Sequence, residues 1–358
     1  MSFLMSPDCR YYAWNQSLLS SPILRAGKSL LRGLAVIILM ILMTVPPSLA
    51  AGSQATQQTA LAGKISISGA WALYPLAVRW AEEFQKENPG VKIDLQAGGA
   101  GKGMADVLAG LVDIGMVSRD IHPEELARGA LPLAVARDAV VGTINQKNPF
   151  LKAILEKGLT REVLRDVFIE GKVRFWEEIL GTTGQTPINV YIRSDACGAA
   201  ETWAAFLGGH QEDLKGVAIY GDPGLAEAVR RDPCGLGFNN LNFAYNPETL
   251  KPHPGLVILP LDLNGDGQLG PEEDFYQDRN RLTAAIDRGL YPSPPARDLF
   301  LVVNKSNIRS VTVAFLDWVL SRGQELAEEA GYLKLDLQAA ARERQKLREI
   351  SHEEAGRR

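Results

Sequence analysis

Apolar positions along this chain follow two periods. Lys64-Ile-Ser-Ile-Ser68 alternates strictly, the spacing of a half-buried strand. Leu76, Trp80 and Phe84 then recur every four residues, which predicts a helix begun by Pro75 and ended by Asn88-Pro-Gly90. Val91-Lys-Ile-Asp-Leu95 reads as the next strand. Met104, Val107, Leu108 and Leu111 share one face of a helix over 103–111, and a short strand follows at 113–117. This β-α-β-α-β succession implies a parallel sheet with helices on its faces. Leu133–Ile144 is a strand-like run long enough to cross between two domains. Further helices are expected over 161–168 and 174–180, after Gly198 with Trp203, Phe206 and Leu207 on one side, over 226–231, and over 311–324. Further strands are expected over 188–192, from Gly235, over 256–259 and over 299–303. From about residue 338 the chain turns to Arg, Glu and Gln, which reads as a frayed helix or charged tail over 338–358.

Composition narrows the class. The chain has 358 residues, 46% apolar and 22% charged, an ordinary globular balance with length for two domains. Lys28 and Arg32 precede the apolar run 33–45, and small residues at Ser48 and Ala50 follow it. That order describes a secretory signal with an N-terminal extension over 1–50, cleaved near Ala50, and a flexible lead-in over 51–63. The leader holds four basic residues (Arg10, Arg25, Lys28, Arg32) and one acid (Asp8), so the formal charge passes from −4 to −7 without it. An acidic chain is a poor nucleic-acid binder, and any anion must be captured by a local site. Cys197 and Cys234 remain after the leader, an even pair in an oxidising compartment, and a disulfide between them is expected. Two unlinked small apolar side chains are the alternative.

Three turns from strand to helix carry the chemistry. They are Ser68-Gly-Ala-Trp-Ala-Leu-Tyr-Pro75, Gly98-Gly-Ala-Gly-Lys-Gly103 and Arg193-Ser-Asp-Ala-Cys-Gly198. Such turns lie at the carboxyl edge of a doubly wound sheet, where ligands bind. Glycine-rich turns aim backbone N–H groups outward, and the helix dipole adds partial positive charge, so three of them could hold an oxyanion without a metal.

The order of these turns, with Gly110-Leu-Val-Asp-Ile-Gly-Met-Val-Ser-Arg119 and Gly235-Leu-Gly-Phe238, resembles the phosphate-binding component of bacterial ABC transporters over nearly the whole chain after the leader. The resemblance implies a two-lobed α/β periplasmic binding protein of type II topology, each lobe a sheet flanked by helices. Lobe one is then expected over 64–138 and 255–337, and lobe two over 139–254. The resemblance also implies an extracytoplasmic, monomeric protein that closes on phosphate or a related small oxyanion and passes it to a membrane permease. The same fold could instead serve as a ligand sensor or interaction module without transport. Candidate ligand contacts are Ala70, Trp71 and Ala72 in the first turn and Gly99, Ala100 and Gly101 in the second. Ser118 and Arg119 follow, then Arg193, Asp195, Cys197 and Gly198. The family places Ser or Thr hydroxyls in all three turns, whereas this chain has Ala70, Trp71, Ala72 and Leu73, then Ala100, then Cys197 and Ala199. Backbone amides and the Arg193 guanidinium remain, with Lys102 as a further cation.

A separate motif stands at Asp262-Leu-Asn-Gly-Asp-Gly-Gln-Leu-Gly-Pro-Glu-Glu273. It fits the twelve-residue calcium loop, with Asp262, Asn264, Asp266, Gln268 and Glu273 at the coordinating positions and Gly267 at the sharp turn. A helix from about Glu272 to Arg288 is expected behind it, and a single loop suits a structural Ca2+ rather than a switch. His122, His210, His253 and His352 show no zinc spacing, and no nucleophile elbow is present, so no enzymatic activity is expected.

Overall fold

The computed structural model describes residues 61–357 and, for side chains, residues 61–350. The expected leader, its expected cleavage site and most of the expected lead-in lie outside the described residues. The first strand, β1, spans Ala62–Gly69, so the expected lead-in gives way to sheet one residue before Gly63. β2 (Gly90–Ala97) and β3 (Ile114–Val117) flank β1 on either side, both parallel to it, as the β-α-β-α-β reading requires. Helix Tyr74–Glu87 joins β1 to β2 and buries Leu76, Trp80 and Phe84, the residues of its four-residue period. Trp80 Nε1 donates to Gly323 O at 2.7 Å, so the indole fills the core without an unpaired donor. The helix after β2 is Ala100–Leu108, three residues earlier than its apolar spacing suggests. Leu111 falls beyond its end and is 72% exposed.

Two long strands carry the chain between two hydrophobic cores. β4 (Ala130–Asn145) has 16 residues, roughly 50 Å at the usual rise. Its residues 130–136 pack in the first core and residues 139–144 in the second. The other five strands are β5 (Asn189–Arg193), β6 (Val217–Ile219), β7 (Gly235–Asn240), β8 (Leu256–Ile258) and β9 (Ala296–Asn304). β9 runs antiparallel to β4 along its length, with Asp138 opposite Arg297 at the crossing. Among the described residues the strand order is β2-β1-β3-β9-β4-β7-β5-β6, with β8 added on β4.

The cores fix the lobes differently from the expectation. The first core collects residues 65–136 and 299–347, and the second collects residues 139–296. The segment 255–296, expected in lobe one, therefore belongs to lobe two. Its apolar residues Leu256, Ile258, Leu259, Leu282 and Ile286 have little periodicity in common, and β8 pairs with β4 on the lobe-two side. The expected tail is also part of the fold. Residues Leu337–Arg357 form a helix whose Ala340 and Leu347 enter the first core, and Arg344 forks onto Asp317 at 2.8 and 2.9 Å. Charge on three sides of that helix hid a narrow apolar stripe. Finally, the helix expected over 272–288 starts only at Arg279, capped by Asp278.

Candidate functional site

The carboxyl ends of β1, β2 and β3 in lobe one face those of β5, β6 and β7 in lobe two, and the three turns meet there. Gly99 adopts φ 89°, and a Cβ on it would stand 2.6 Å from Ala196 O, so both conformation and space require glycine. Gly101 N donates to Ala196 O at 3.1 Å, which ties the second turn directly to the third. Gly198, at the start of helix Gly198–Leu207, lies against Ser118: a Cβ there would fall 2.1 Å from Ser118 O. The first turn joins through Ala70, whose N–H donates to Met116 O at 2.9 Å on β3.

Arg193 is the centre of this meeting place and is 4% exposed. Its Nε donates to Asp195 Oδ1 at 2.8 Å and its Nη2 to Asp195 Oδ2 at 2.5 Å, while Nη1 donates to Asp222. Asp195 also accepts from Gly221 N at 3.2 Å. Asp222, fully buried, accepts from Asn240 N and Nδ2 at 3.1 and 2.8 Å. Burial works against the guanidinium charge, but the Asp222 and Asp195 carboxylates outweigh it and hold Arg193 above its ordinary pKa. Arg297 extends the network, donating to Gly198 O at 2.5 Å, to Thr202 Oγ1 at 3.0 Å and to Asn240 Oδ1. Its nearest carboxylate, Asp138, lies 3.8 Å away. Burial pushes this acid up to about 6, against the pull of Arg297 and of the Ala139 and Leu241 amides.

Not every expected contact reaches the centre. Ala70, Ala72, Ala100 and Cys197 are buried in the two hydrophobic cores and bring only methyl and thiol groups. Burial pushes the Cys197 thiol up to about 12, and its Sγ accepts from Ala200 N at 3.4 Å as a helix cap. Arg119 forks onto Glu125 at 2.6 and 3.0 Å and lines a 680 Å³ cavity with His122, Arg137, Glu201 and Arg297. Lys102 pairs with Asp106 on its own helix. Asp222, Asn240, Arg297 and Asp138 escaped the sequence reading. They lie on separate elements: the β4–β9 and β4–β7 pairings gather Asp138, Arg297 and Asn240, and helix Gly221–Arg231 brings Asp222 onto Asn240.

The expected disulfide is absent, and Cys197 and Cys234 are both free. Cys197 follows the carboxyl end of β5. Cys234 precedes Gly235, which pairs in parallel with Asn189 at the amino end of β5. The two thiols therefore sit at opposite ends of a strand roughly 13 Å long, beyond the reach of an S–S bond.

The calcium motif folds as a tight loop. Asp262 accepts from Gly265 N and Gly267 N at 2.7 and 3.0 Å, and Glu273 accepts from Leu263, Asn264 and Gly270 N. Asp262 and Glu273 are buried, and among the described residues no basic side chain pairs with them or with Asp266. No group of three or more His, Cys, Asp or Glu side chains stands ready to hold a metal among those residues.

A family model described as the PBP superfamily domain matches residues 53–322. The chain belongs to the PBP superfamily. Protein SphX of Synechococcus elongatus is 28% identical over 325 residues, covering 87% of this chain and 88% of that protein. Phosphate-binding protein PstS of Methanocaldococcus jannaschii is 27% identical, covering 72% of this chain and 78% of that one. Among solved structures, a Clostridium perfringens protein described as a putative phosphate ABC transporter substrate-binding protein with bound phosphate superposes with a TM-score of 0.63. It has 22% identity and covers 76% of this chain and all of its own. That likeness establishes the type II binding-protein fold expected from the turns.

Proposed function

We propose that this protein is the extracytoplasmic solute-binding component of an ABC importer, capturing a phosphate-type oxyanion between its lobes and presenting it to a membrane permease. The observation that carries the reading is the junction of three glycine-bearing turns from two lobes around Arg193, bridged by Gly101 N to Ala196 O. Helices Ala100–Leu108 and Gly198–Leu207, one from each lobe, begin at this junction, and helix N-termini suit a small anion. The relatives named for phosphate binding support the same ligand class, and the apolar run behind Lys28 and Arg32 supports export. Nothing in this arrangement calls for a catalytic step. The test is calorimetric titration of the purified protein with phosphate, sulfate, molybdate and tungstate. Saturable binding of one anion per chain is expected for at least one of them, and no binding of any would refute the reading.

We further propose that the loop Asp262–Glu273 takes one structural Ca2+. Three carboxylates without a basic partner, at the spacing of a calcium loop, support it. Asp262, Asp266 and Glu273 would supply negative oxygens, Asn264 an amide oxygen and Gln268 its backbone carbonyl.

A further inference from the structure

The wall of the junction is aromatic. Trp71, from the first turn, crosses to lobe two, where its ring centroid lies 6.2 Å from Tyr220 and 6.4 Å from Phe243, nearly edge-on to both. Tyr74 stands 6.3 Å behind it. Gly221 makes room for the indole, since a Cβ there would lie 3.3 Å from Trp71 Cζ2. Tyr220 is 60% exposed, so this wall opens to solvent at the mouth. One donor on it is buried without a partner, Trp71 Nε1. A buried unpaired donor is rare in a folded protein and marks a place where an acceptor belongs.

The charge balance points the same way. Arg193 is bracketed by Asp195 and Asp222, which leaves that trio with one net negative charge. The turns themselves carry Ala70, Ala72, Leu73, Ala100 and Ala199, none of which can donate, and the buried Ser118 beside Gly198 adds one hydroxyl. A bare dianion entering here would shed its water, find few side-chain donors and meet a net negative trio. A solute of the same headgroup chemistry with one oxygen position replaced by an apolar substituent needs fewer donors. It also covers aromatic surface that is otherwise wet.

We propose that the preferred solute is a phosphoryl group bearing an apolar substituent, an organophosphonate or phosphate monoester, with the substituent on the Trp71–Tyr220–Phe243 wall and an oxygen accepting from Trp71 Nε1. This rests on the interlobe capture proposed above. Calorimetry of the purified protein with phenylphosphonate, phenyl phosphate and inorganic phosphate tests it. One or both phenyl compounds are expected to bind on the order of tenfold or more tighter than inorganic phosphate. In Trp71→Ala and in Tyr220→Ala that affinity ratio is expected to fall toward one. Tyr220, being exposed, can be replaced without threatening the fold, and circular dichroism checks both variants. Inorganic phosphate binding as tightly as the phenyl compounds, or a ratio that neither substitution moves, overturns the inference while leaving oxyanion capture standing. Failure of all three to bind, with sulfate or molybdate bound in the wider titration, also overturns it; failure of every anion brings down both.

Discussion

Arg193 is held by two carboxylates at once, and this decides what its removal does. Replacing it with Ala strands Asp195 and Asp222 as buried, uncompensated charges. We expect Arg193→Ala to lose about 3–5 kcal/mol of stability, read as a lower denaturant midpoint, and to weaken anion binding at least tenfold. A variant of unchanged midpoint and affinity would show that the guanidinium is dispensable. Asp138 behaves in the opposite sense. Burial raises its pKa from 3.8 to about 6, only partly offset by Arg297. The folded protein therefore holds this proton more tightly than the unfolded chain. Its ionisation opposes folding by about 3 kcal/mol above pH 6, and that penalty fades as pH falls from 6 toward 4. Asp138→Asn should remove this part of the pH dependence, so the midpoint gains less than wild type between pH 7 and pH 5. Equal slopes in the two proteins would mean that Asp138 does not titrate there.

At the scale of elements, the calcium loop is anchored to lobe two by Asp262 N on Leu159 O and Leu269 N on Glu156 O. Its carboxylates fold onto loop amides, and the helix behind it begins only at Arg279. If the loop holds Ca2+, a chelator should lower the melting temperature and added Ca2+ should restore it, with anion binding retained. A melt indifferent to both would remove the metal from the account. The strands and turns of lobe one were legible because each has its own short-range mark: alternation in β1, a four-residue period in Leu76–Phe84, glycine at the turns. The segment 255–296 carried a strand run at 256–259 and the calcium motif, but neither assigns it to a lobe. Its lobe is set by the pairing of Leu256–Ile258 with Thr143–Asn145, a contact between residues more than a hundred positions apart. The helix Leu337–Arg357 was masked by its charge, since few apolar residues suffice to dock it. The site divided along the same line. Arg193, Asp195 and Gly198 belong to one contiguous turn and could be named. Asp222, Asn240 and Arg297 are joined only by tertiary pairing. Cys197 and Cys234 misled because an even count carries no information on which end of a strand each cysteine occupies.

For the whole molecule, β4 and β9 are the mechanical frame. They pass side by side from one core to the other, with Asp138 opposite Arg297 where they cross. Contacts between the turns, such as Gly101 N to Ala196 O, belong to a closed arrangement of the two lobes. A ligand that touches both lobes stabilises this closed form over an open one, and the crossover strands absorb the change. On the proposed function, solute capture and lobe closure are one event. Small-angle X-ray scattering of the purified protein, with and without a saturating oxyanion, tests it most directly. A smaller radius of gyration is expected with the anion bound, approaching the value calculated for the closed arrangement described above. An unchanged radius at saturation would contradict it.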